Sequence, residues 1–213
     1  MSKIQLAYFQ VRGRAEAIRT LLVDNNVEYE ETDVGPRDNW VNNWKPKMAF
    51  GQCPWLKDGD VELVQSNTML RYLARKLGKY TLVDLYGANN VEASRADMIN
   101  DGVEDLRVAY TRMIYQNYEE GKGPFIAELP GKLQCFETLM KNGGDYIVGS
   151  KVCFADYNLF DLLDALVTLS SPCLDAFPTL KAYYDRVMNR PGVQKRRSTD
   201  HFKGLPINGN GKQ

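Results

Sequence analysis

Tyr8 is the first candidate for a chemical role because of its place along the chain. Ile4, Leu6 and Tyr8 alternate in a short apolar run, which predicts a strand that ends at Tyr8. A helix is predicted to open a few residues later, around Gly13. The carboxyl end of a strand beside such a turn is where α/β proteins bind ligands, and a phenol there could donate a hydrogen bond to an anion. A tyrosine that packs its ring and turns its hydroxyl to solvent is the alternative that spacing leaves open.

A second candidate region runs from Phe50 to Asn67, FGQCPWLKDGDVELVQSN. The pair Asp58-Gly59 lies between two apolar runs and predicts a tight hairpin of antiparallel strands. Pro54 opens the first strand, where a proline is tolerated and a cis bond is plausible. A cis bond would turn the backbone of Cys53 outward. Its N–H and C=O could then pair with an extended peptide.

The residues after the hairpin predict an anion site beside that edge. Gln65-Ser66-Asn67 precedes an apolar pattern of helical period, so Ser66 or Asn67 is the predicted N-cap. The N–H groups at a helix N-terminus attract a carboxylate. A plain helix cap without a ligand is the simpler reading of Ser66. Together with the Cys53 edge, the segment predicts a small, negatively charged peptide as ligand.

The elements that would position these residues divide the chain in two. The first part reads as strand, helix, strand, hairpin and helix, which predicts a β-α-β unit followed by β-β-α. Its segment 35–48 shows no period and is predicted to be irregular, and its last helix is predicted over 66–77, with Gly78 as the C′ glycine. The second part is predicted to be helical over 91–118, 130–141, 154–170, 178–190 and 192–199, with a short strand at 146–148. We therefore predict a domain at 1–79, a linker at 80–90 and a domain at 91–213, with the ligand in the cleft between them.

Composition narrows the functional class. The chain has 213 residues, with 27 Lys and Arg balanced by 27 Asp and Glu. This neutral balance argues against nucleic acid or an anionic membrane as partner. The N-terminus lacks the long apolar run of a signal peptide, and no stretch approaches a membrane span. The expectation is a soluble cytoplasmic protein.

Cysteine and histidine usage argues against a metal centre. Four cysteines are widely spaced, without a C-x-x-C motif, and His201 is the single histidine. Zinc clusters and dithiol redox sites need closer groups of such ligands. We expect no metal.

Four motifs carry a resemblance to a known family. They are F-G-Q-x-P at 50–54, Q-S-N-T-x-L-R-x-L at 65–73, DGVEDL at 101–106 and LPINGNGKQ at 205–213. Together they make nearly the whole chain similar to cytosolic glutathione S-transferases of the Pi class. The resemblance implies a thioredoxin-like N-terminal domain and an all-helical C-terminal domain that forms the second-substrate site. It also implies a cytoplasmic homodimer that conjugates glutathione, its co-substrate, to electrophiles for detoxification, without a prosthetic group.

The resemblance assigns residues to three sites. Tyr8 would donate a hydrogen bond to the thiolate of glutathione, and Trp44 competes with Trp40 for a place at the glycyl end. The implied glutathione site comprises Tyr8, Arg14, Trp40, Lys45, Gln52, Cys53, Pro54, Gln65, Ser66 and Asp105 of the partner subunit. The implied second-substrate site comprises Phe9, Val11, Thr111, Tyr115, Asn208 and Gly209. The implied dimer contacts are Phe50, Arg71, Arg75, Asp97, Met98, Ile99 and Gly102.

The chain departs from the Pi pattern at three places. Cys53 stands where a leucine is usual, and the family's reactive cysteine before the FGQ motif is absent. Cys153 stands at the predicted N-cap of the central helix, which would leave Asp156 without its usual partner. The linker is longer than usual. A non-catalytic carrier on the same fold is the alternative function. A glutaredoxin-like enzyme would require Cys53 to form a mixed disulfide.

Overall fold

The computed structural model describes residues 3–78, 84–142 and 144–213. Its contacts form two compact units, one of Met1–Leu73 with Pro191–Gly209 and one of Ala74–Arg190 with Asn210–Gln213. The domain limits inferred from the sequence stay a prediction. Residues 80–83 of the predicted linker, and Gly143 at the predicted end of a helix, lie outside the described residues.

The first unit is built on a four-stranded sheet of order β2-β1-β3-β4. Its elements are β1 (Ile4–Tyr8), α1 (Glu16–Asp24), β2 (Tyr29–Asp33), β3 (Trp55–Asp58), β4 (Val61–Val64) and the start of α3 (Ser66–Gly78). β1 runs parallel to β2 and antiparallel to β3, and β3 pairs antiparallel with β4. The predicted β-α-β and β-β-α arrangement is confirmed.

Two details of the sheet region differ from the prediction. Asp58 pairs with Val61, so the turn is made by Gly59 and Asp60, one residue later than expected. Gly59 has φ 62°, a value that glycine adopts without steric cost. At the other end of the hairpin segment, α3 continues through Gly78 instead of ending before it.

The core of the first unit comes from the alternating and helical patterns. Leu6 of β1 lies opposite Leu56 of β3, and both side chains are fully buried. The predicted apolar face of α1 is also buried, at Ala15, Ile18, Leu21 and Leu22.

The segment predicted to be irregular folds into short helical turns. These are α2 (Arg37–Asn39), a π-helical turn (Trp40–Trp44) and two 3₁₀ turns (Lys45–Lys47 and Ala49–Gly51). Single turns do not require an amphipathic period, so the apolar pattern could not indicate them.

The second unit is helical. It contains the remainder of α3, α4 (Asn90–Gln116), α5 (Tyr118–Lys141), α6 (Phe154–Leu169), a 3₁₀ turn (Ser171–Leu174) and α7 (Pro178–Met188). The predicted strand at 146–148 is wrong, since only an isolated bridge between Tyr146 and Gly149 forms there. The predicted start of α5 at Pro130 is also wrong. The helix begins twelve residues earlier and holds Pro124 and Pro130 inside, because a long helix can continue past the hydrogen bond that a proline removes.

The central helix α6 is buried along nearly its whole length, as its apolar sequence predicted. Asp156 near its start accepts hydrogen bonds from the backbone N–H of Cys153 at 2.7 Å and of Ile147 at 3.1 Å. The expectation that Asp156 lacks a capping partner is therefore wrong. The chain then forms α8 (Pro191–Ser198) and α9 (Asp200–Gly204), and α8 packs on α1 in the first unit.

Candidate active site

Tyr8 is the last residue of β1, and its side chain is almost fully buried. Its hydroxyl oxygen accepts a hydrogen bond from the backbone N–H of Arg14 at 3.1 Å. An accepted hydrogen bond polarises a hydroxyl and strengthens the bond that it donates. The arrangement suits a hydroxyl that stabilises an anion.

Gly13 lies against this hydroxyl. A Cβ at position 13 would be 2.6 Å from Tyr8 Oη, and Gly13 has φ 44°. Both the space and the backbone conformation therefore require glycine. Gly13 and the hydroxyl-binding Arg14 N–H belong to the same turn.

The aromatic residues after α2 separate the two tryptophan candidates. The Trp40 ring packs edge-on to Phe9 with centroids 5.5 Å apart, directly beside Tyr8 in sequence. Trp44 instead packs against Trp55 at 6.1 Å. Trp40 is therefore the tryptophan beside the segment from Tyr8 to Arg14, which we call the Tyr8 turn.

Lys45 and Gln52 both lie at the segment around Gly51. A Cβ at Gly51 would lie 3.3 Å from Lys45 Cε, so the exposed Lys45 chain passes beside Gly51. The side-chain amide of Gln65 donates to Gln52 Oε1 at 3.0 Å. The structure thus brings Lys45, Gln52 and Gln65 to the segment around Gly51.

The peptide bond between Cys53 and Pro54 is cis, as the sequence suggested, and so is the bond between Gly35 and Pro36. Within the described residues, the backbone of Cys53 forms no hydrogen bond with another residue. An added peptide strand could use those groups.

The N-terminus of α3 differs from the prediction in its cap. The carbonyl of Gln65 accepts the N–H of Met69 at 3.1 Å, which makes Gln65 the N-cap, and the helix begins at Ser66. Gln65 has φ 73°. Its exposed side-chain amide and the buried Ser66 thus lie together at the N-terminus of a helix, where N–H groups favour an anion.

The thiol of Cys53 is half-buried, and this burial raises its pKa to about 12. At neutral pH the thiol is therefore protonated. Only the thiolate attacks disulfides, so the raised pKa of this thiol does not favour a redox role for Cys53.

The C-terminal segment adds to the Tyr8 turn. The backbone N–H of Arg12 donates to Pro206 O at 2.9 Å, and that of Gly13 donates to Ile207 O at 3.1 Å. Asn208 follows and is buried. The predicted residues Phe9, Val11, Asn208 and Gly209 therefore belong to the same unit as Tyr8.

The other predicted site residues lie on α4 in the second unit. Thr111 donates to Val108 O at 3.1 Å, Tyr115 is half-exposed, and Asp105 is exposed. Their nearness to a ligand bound at Tyr8 stays a prediction.

An apolar groove lies between α4 and α5. It has a volume of about 390 Å³ and is lined by Met98, Ile99, Gly102, Asp105, Leu106, Ala109, Lys132, Cys135, Phe136 and Leu139. Three of the predicted dimer residues, Met98, Ile99 and Gly102, thus share one concave surface. Phe50, in the first unit, is 80% exposed.

The charged residues predicted to bridge subunits are engaged within one chain. The hydroxyl of Tyr86 accepts from Arg75 at 2.9 Å and donates to Asp97 at 2.9 Å. Arg71 is half-buried on α3. Pairing of these residues across subunits stays a prediction.

Sequence reasoning missed Arg19, which is fully buried on α1. Its guanidinium donates to Val11 O at 2.8 Å and Arg12 O at 3.3 Å. The signal was present in its position. Arg19 falls four residues after Ala15 and three before Leu22, on the apolar face of the helix.

The described residues contain neither a metal-binding cluster nor a membrane-spanning helix. No cluster of three or more His, Cys, Asp or Glu side chains is arranged to bind a metal ion. No helix in the described ranges has the length and apolar character to cross a membrane.

Comparison with known proteins gives consistent matches. The family model described as Glutathione S-transferase, N-terminal domain matches residues 4–75, and that of the C-terminal domain matches residues 104–197. The chain is 48% identical over 212 residues to Glutathione S-transferase P 1 of Bufo bufo, covering 98% of each. It is 45% identical over 216 residues to Glutathione S-transferase P of Homo sapiens, covering 100% of each. The solved Pi-class Glutathione S-transferase of Onchocerca volvulus aligns at a TM-score of 0.91 and 42% identity over 100% of both chains.

Proposed function

This chain belongs to the Pi class of the glutathione S-transferase family and is a glutathione transferase, and we propose that the Tyr8 hydroxyl stabilises the thiolate of its co-substrate glutathione. The observation that carries this role is the hydrogen bond from Arg14 N–H to Tyr8 Oη. Because the oxygen accepts there, its proton can point toward a bound sulfur. The thiolate then attacks an electrophile, forms a carbon–sulfur bond, and the electrophile's leaving group departs or its double bond takes up a proton.

Ionisation alone would give only a modest gain. A free thiol has a pKa of about 8.5, so about 3% is thiolate at pH 7. Lowering the pKa by about 2 units raises that fraction roughly 25-fold but costs roughly eightfold in nucleophilicity, a net gain of about threefold. Most of the rate must therefore come from holding the sulfur beside the electrophile.

The glutathione site would hold that sulfur through the rest of the tripeptide. Gln65 and Ser66 would bind the γ-glutamyl carboxylate at the N-terminus of α3, and the Cys53-Pro54 backbone would pair with the cysteinyl residue. Trp40 and Lys45 would bind the glycyl carboxylate, with Gln52 adding a further contact. Arg14 would add positive charge near the thiolate. The support is their shared position around Tyr8 and Gly51.

The second substrate would be an apolar electrophile. Its proposed contacts are Phe9, Val11, Thr111, Tyr115, Asn208 and Gly209. Tyr115 would donate to charge that develops on the acceptor. The enzyme would act in detoxification in the cytoplasm.

The enzyme would work as a homodimer. Phe50 is 80% exposed, whereas large apolar side chains are usually buried. The groove between α4 and α5 offers an apolar pocket of about 390 Å³. We propose that Phe50 of each subunit enters the partner's groove, which would also let Asp105 of the partner subunit reach the ammonium of glutathione.

The variant Tyr8→Phe tests the role of the hydroxyl. A hydrogen bond to a charged group is worth about 1.5 to 3 kcal/mol, so turnover with a chloronitrobenzene should fall roughly 10- to 100-fold. Glutathione binding by calorimetry should change little. Tyr184→Phe is the matched control, because its hydroxyl donates to Asp164 at 2.7 Å within the second unit, and it should retain full turnover. Undiminished turnover in Tyr8→Phe would exclude the proposed role, and an inactive wild type that still binds glutathione would favour a carrier.

A further inference from the structure

We propose that Arg19 is a positioning residue for Tyr8, a role that rests on the function proposed for Tyr8 above. Arg19 is fully buried, so its role would be exerted through other residues. It acts on the backbone that joins Tyr8 to Arg14. The Tyr8 hydroxyl accepts a hydrogen bond from the Arg14 N–H, so this backbone sets the position of both groups.

The donors of Arg19 are directed at that backbone. Nη1 donates to Val11 O at 2.8 Å and to Arg12 O at 3.3 Å, and Nη2 lies 3.5 Å from Phe9 O. Three of the four residues between Tyr8 and Gly13 are therefore held by one rigid fork. The guanidinium carbon lies 5.8 Å from the centre of the Tyr8 ring.

The rest of the guanidinium is held by carboxylates. Nε donates to Glu31 Oε1 at 2.9 Å, and Nη1 lies 3.2 Å from Glu16 Oε2. Arg196 of α8 binds Glu16 through two hydrogen bonds of 2.8 Å. The four side chains carry two positive and two negative charges, so the buried group is neutral. A buried charge is stable only when it is paired and hydrogen-bonded in this way.

The geometry of Arg19 allows its positioning of the backbone to be tested apart from its charge pairing with Glu16 and Glu31. A lysine at position 19 could pair with Glu16 and Glu31 as a point charge, but it lacks the planar fork that reaches three backbone carbonyls and two carboxylates at once. Arg19→Lys should therefore preserve the fold while loosening residues 9–12. The hydrogen bond between Arg14 N–H and Tyr8 Oη should then lengthen.

The test is a double-mutant cycle on turnover, with Arg19→Lys, Tyr8→Phe and the double variant. We expect Arg19→Lys to lower kcat about tenfold, the effect of roughly one hydrogen bond, with the KM for glutathione changed less than about threefold. The apparent pKa of the bound glutathione thiol, followed by its ultraviolet absorbance, should rise toward that of the free thiol. The double variant should be no more than about twofold slower than Tyr8→Phe alone, because both changes act through one hydroxyl.

Arg107→Lys is the matched control. Arg107 is also buried, binds Asp161 at 2.9 Å and donates to the Asn158 carbonyl at 3.0 Å, all within the second unit. This variant should lower the melting temperature, as Arg19→Lys should, but leave the bound-thiol pKa unchanged. Its effect on kcat should add to that of Tyr8→Phe.

Two outcomes would overturn the positioning role. One is additive loss of kcat in the cycle with Arg19→Lys, and the other is an unchanged bound-thiol pKa in a folded Arg19→Lys protein. If Arg19→Lys does not fold, Glu31→Gln supplies the same test, because it weakens one anchor of Arg19 and keeps an acceptor. A fully active Tyr8→Phe would instead overturn the role of Tyr8 itself, which the kinetics of that single variant reveal.

Discussion

Removing the Phe50 side chain should weaken the dimer by a calculable amount. Full burial of a phenylalanine side chain is worth about 1.5 to 3 kcal/mol. Phe50 is 80% exposed in the single chain, so nearly all of that energy is gained only on association. A two-fold dimer contains the contact twice, which gives about 4 kcal/mol, or roughly a thousandfold in dissociation constant. We expect Phe50→Ala to raise the dissociation constant by that factor.

Analytical ultracentrifugation across a protein concentration series measures the change directly. Activity adds a second measurement, because Asp105 of the partner subunit would complete the glutathione site. In Phe50→Ala the specific activity should therefore fall on dilution at concentrations where the wild type is constant. Val91→Ala is the matched control, since Val91 is 76% exposed on α4 but does not line the groove.

The groove between α4 and α5 can also be filled by a side chain of its own subunit, at position 102. A Cβ at Gly102 would contact only Phe136 Cζ, at 4.0 Å, so α4 accepts a side chain there. Gly102→Leu should occupy the groove and weaken association, whereas Gly102→Ala should leave space for Phe50. A Phe50→Ala protein that dissociates no more readily than the wild type would refute the insertion of Phe50 and the energy assigned to it.

Two further predictions concern the Tyr8 turn and the central helix. Gly13→Ala would bring a Cβ to within 2.6 Å of Tyr8 Oη at φ 44°. Turnover, measured by steady-state kinetics, should therefore fall at least about tenfold, and the free energy of unfolding in urea should fall by about 1 to 2 kcal/mol. Full turnover would contradict this prediction. Burial raises the pKa of Asp156 to about 6, above its ordinary value, so its contribution to stability is present below about pH 4 and lost as the pH rises through 6. The stability of the wild type relative to Asp156→Asn, from urea unfolding, should fall by up to about 3 kcal/mol between pH 4 and 7, and parallel curves would contradict the shift.

The local signals in the sequence predicted the elements of the first unit well. The alternation at Ile4 to Tyr8 and the Asp58-Gly59 pair act over a few residues, so they specify strands and a hairpin without knowledge of the rest of the chain. For the same reason, these local signals do not determine the boundaries of the elements. Whether Gln65 or Ser66 caps α3 depends on the backbone of Gln65, which takes φ 73° and which residue type alone does not reveal.

The charged group around Arg19 could not be predicted from such signals. Glu16 and Arg196 form their two hydrogen bonds across 180 positions of the sequence, and no local period relates them. Arg19 did fall on the apolar face of its predicted helix. An arginine in that position indicates a buried partner, but the identity of the partner depends on the packing of α8 on α1.

In the proposed mechanism, the small net gain from ionisation explains why the Tyr8 turn is held at several points. A shift in thiol pKa would yield only about a threefold advantage, so in this mechanism the rate depends on where the sulfur lies relative to Tyr8 and the electrophile. Gly13 sets the closest approach of the backbone to Tyr8 Oη, at a position where a Cβ would be 2.6 Å away. The Arg19 guanidinium binds backbone carbonyls that precede Gly13, the nearest being Val11 O at 2.8 Å from Nη1. An enzyme that relied mainly on a lowered thiol pKa would tolerate movement of the Tyr8 turn. One that relies on the position of the sulfur requires the constraints from both Gly13 and Arg19.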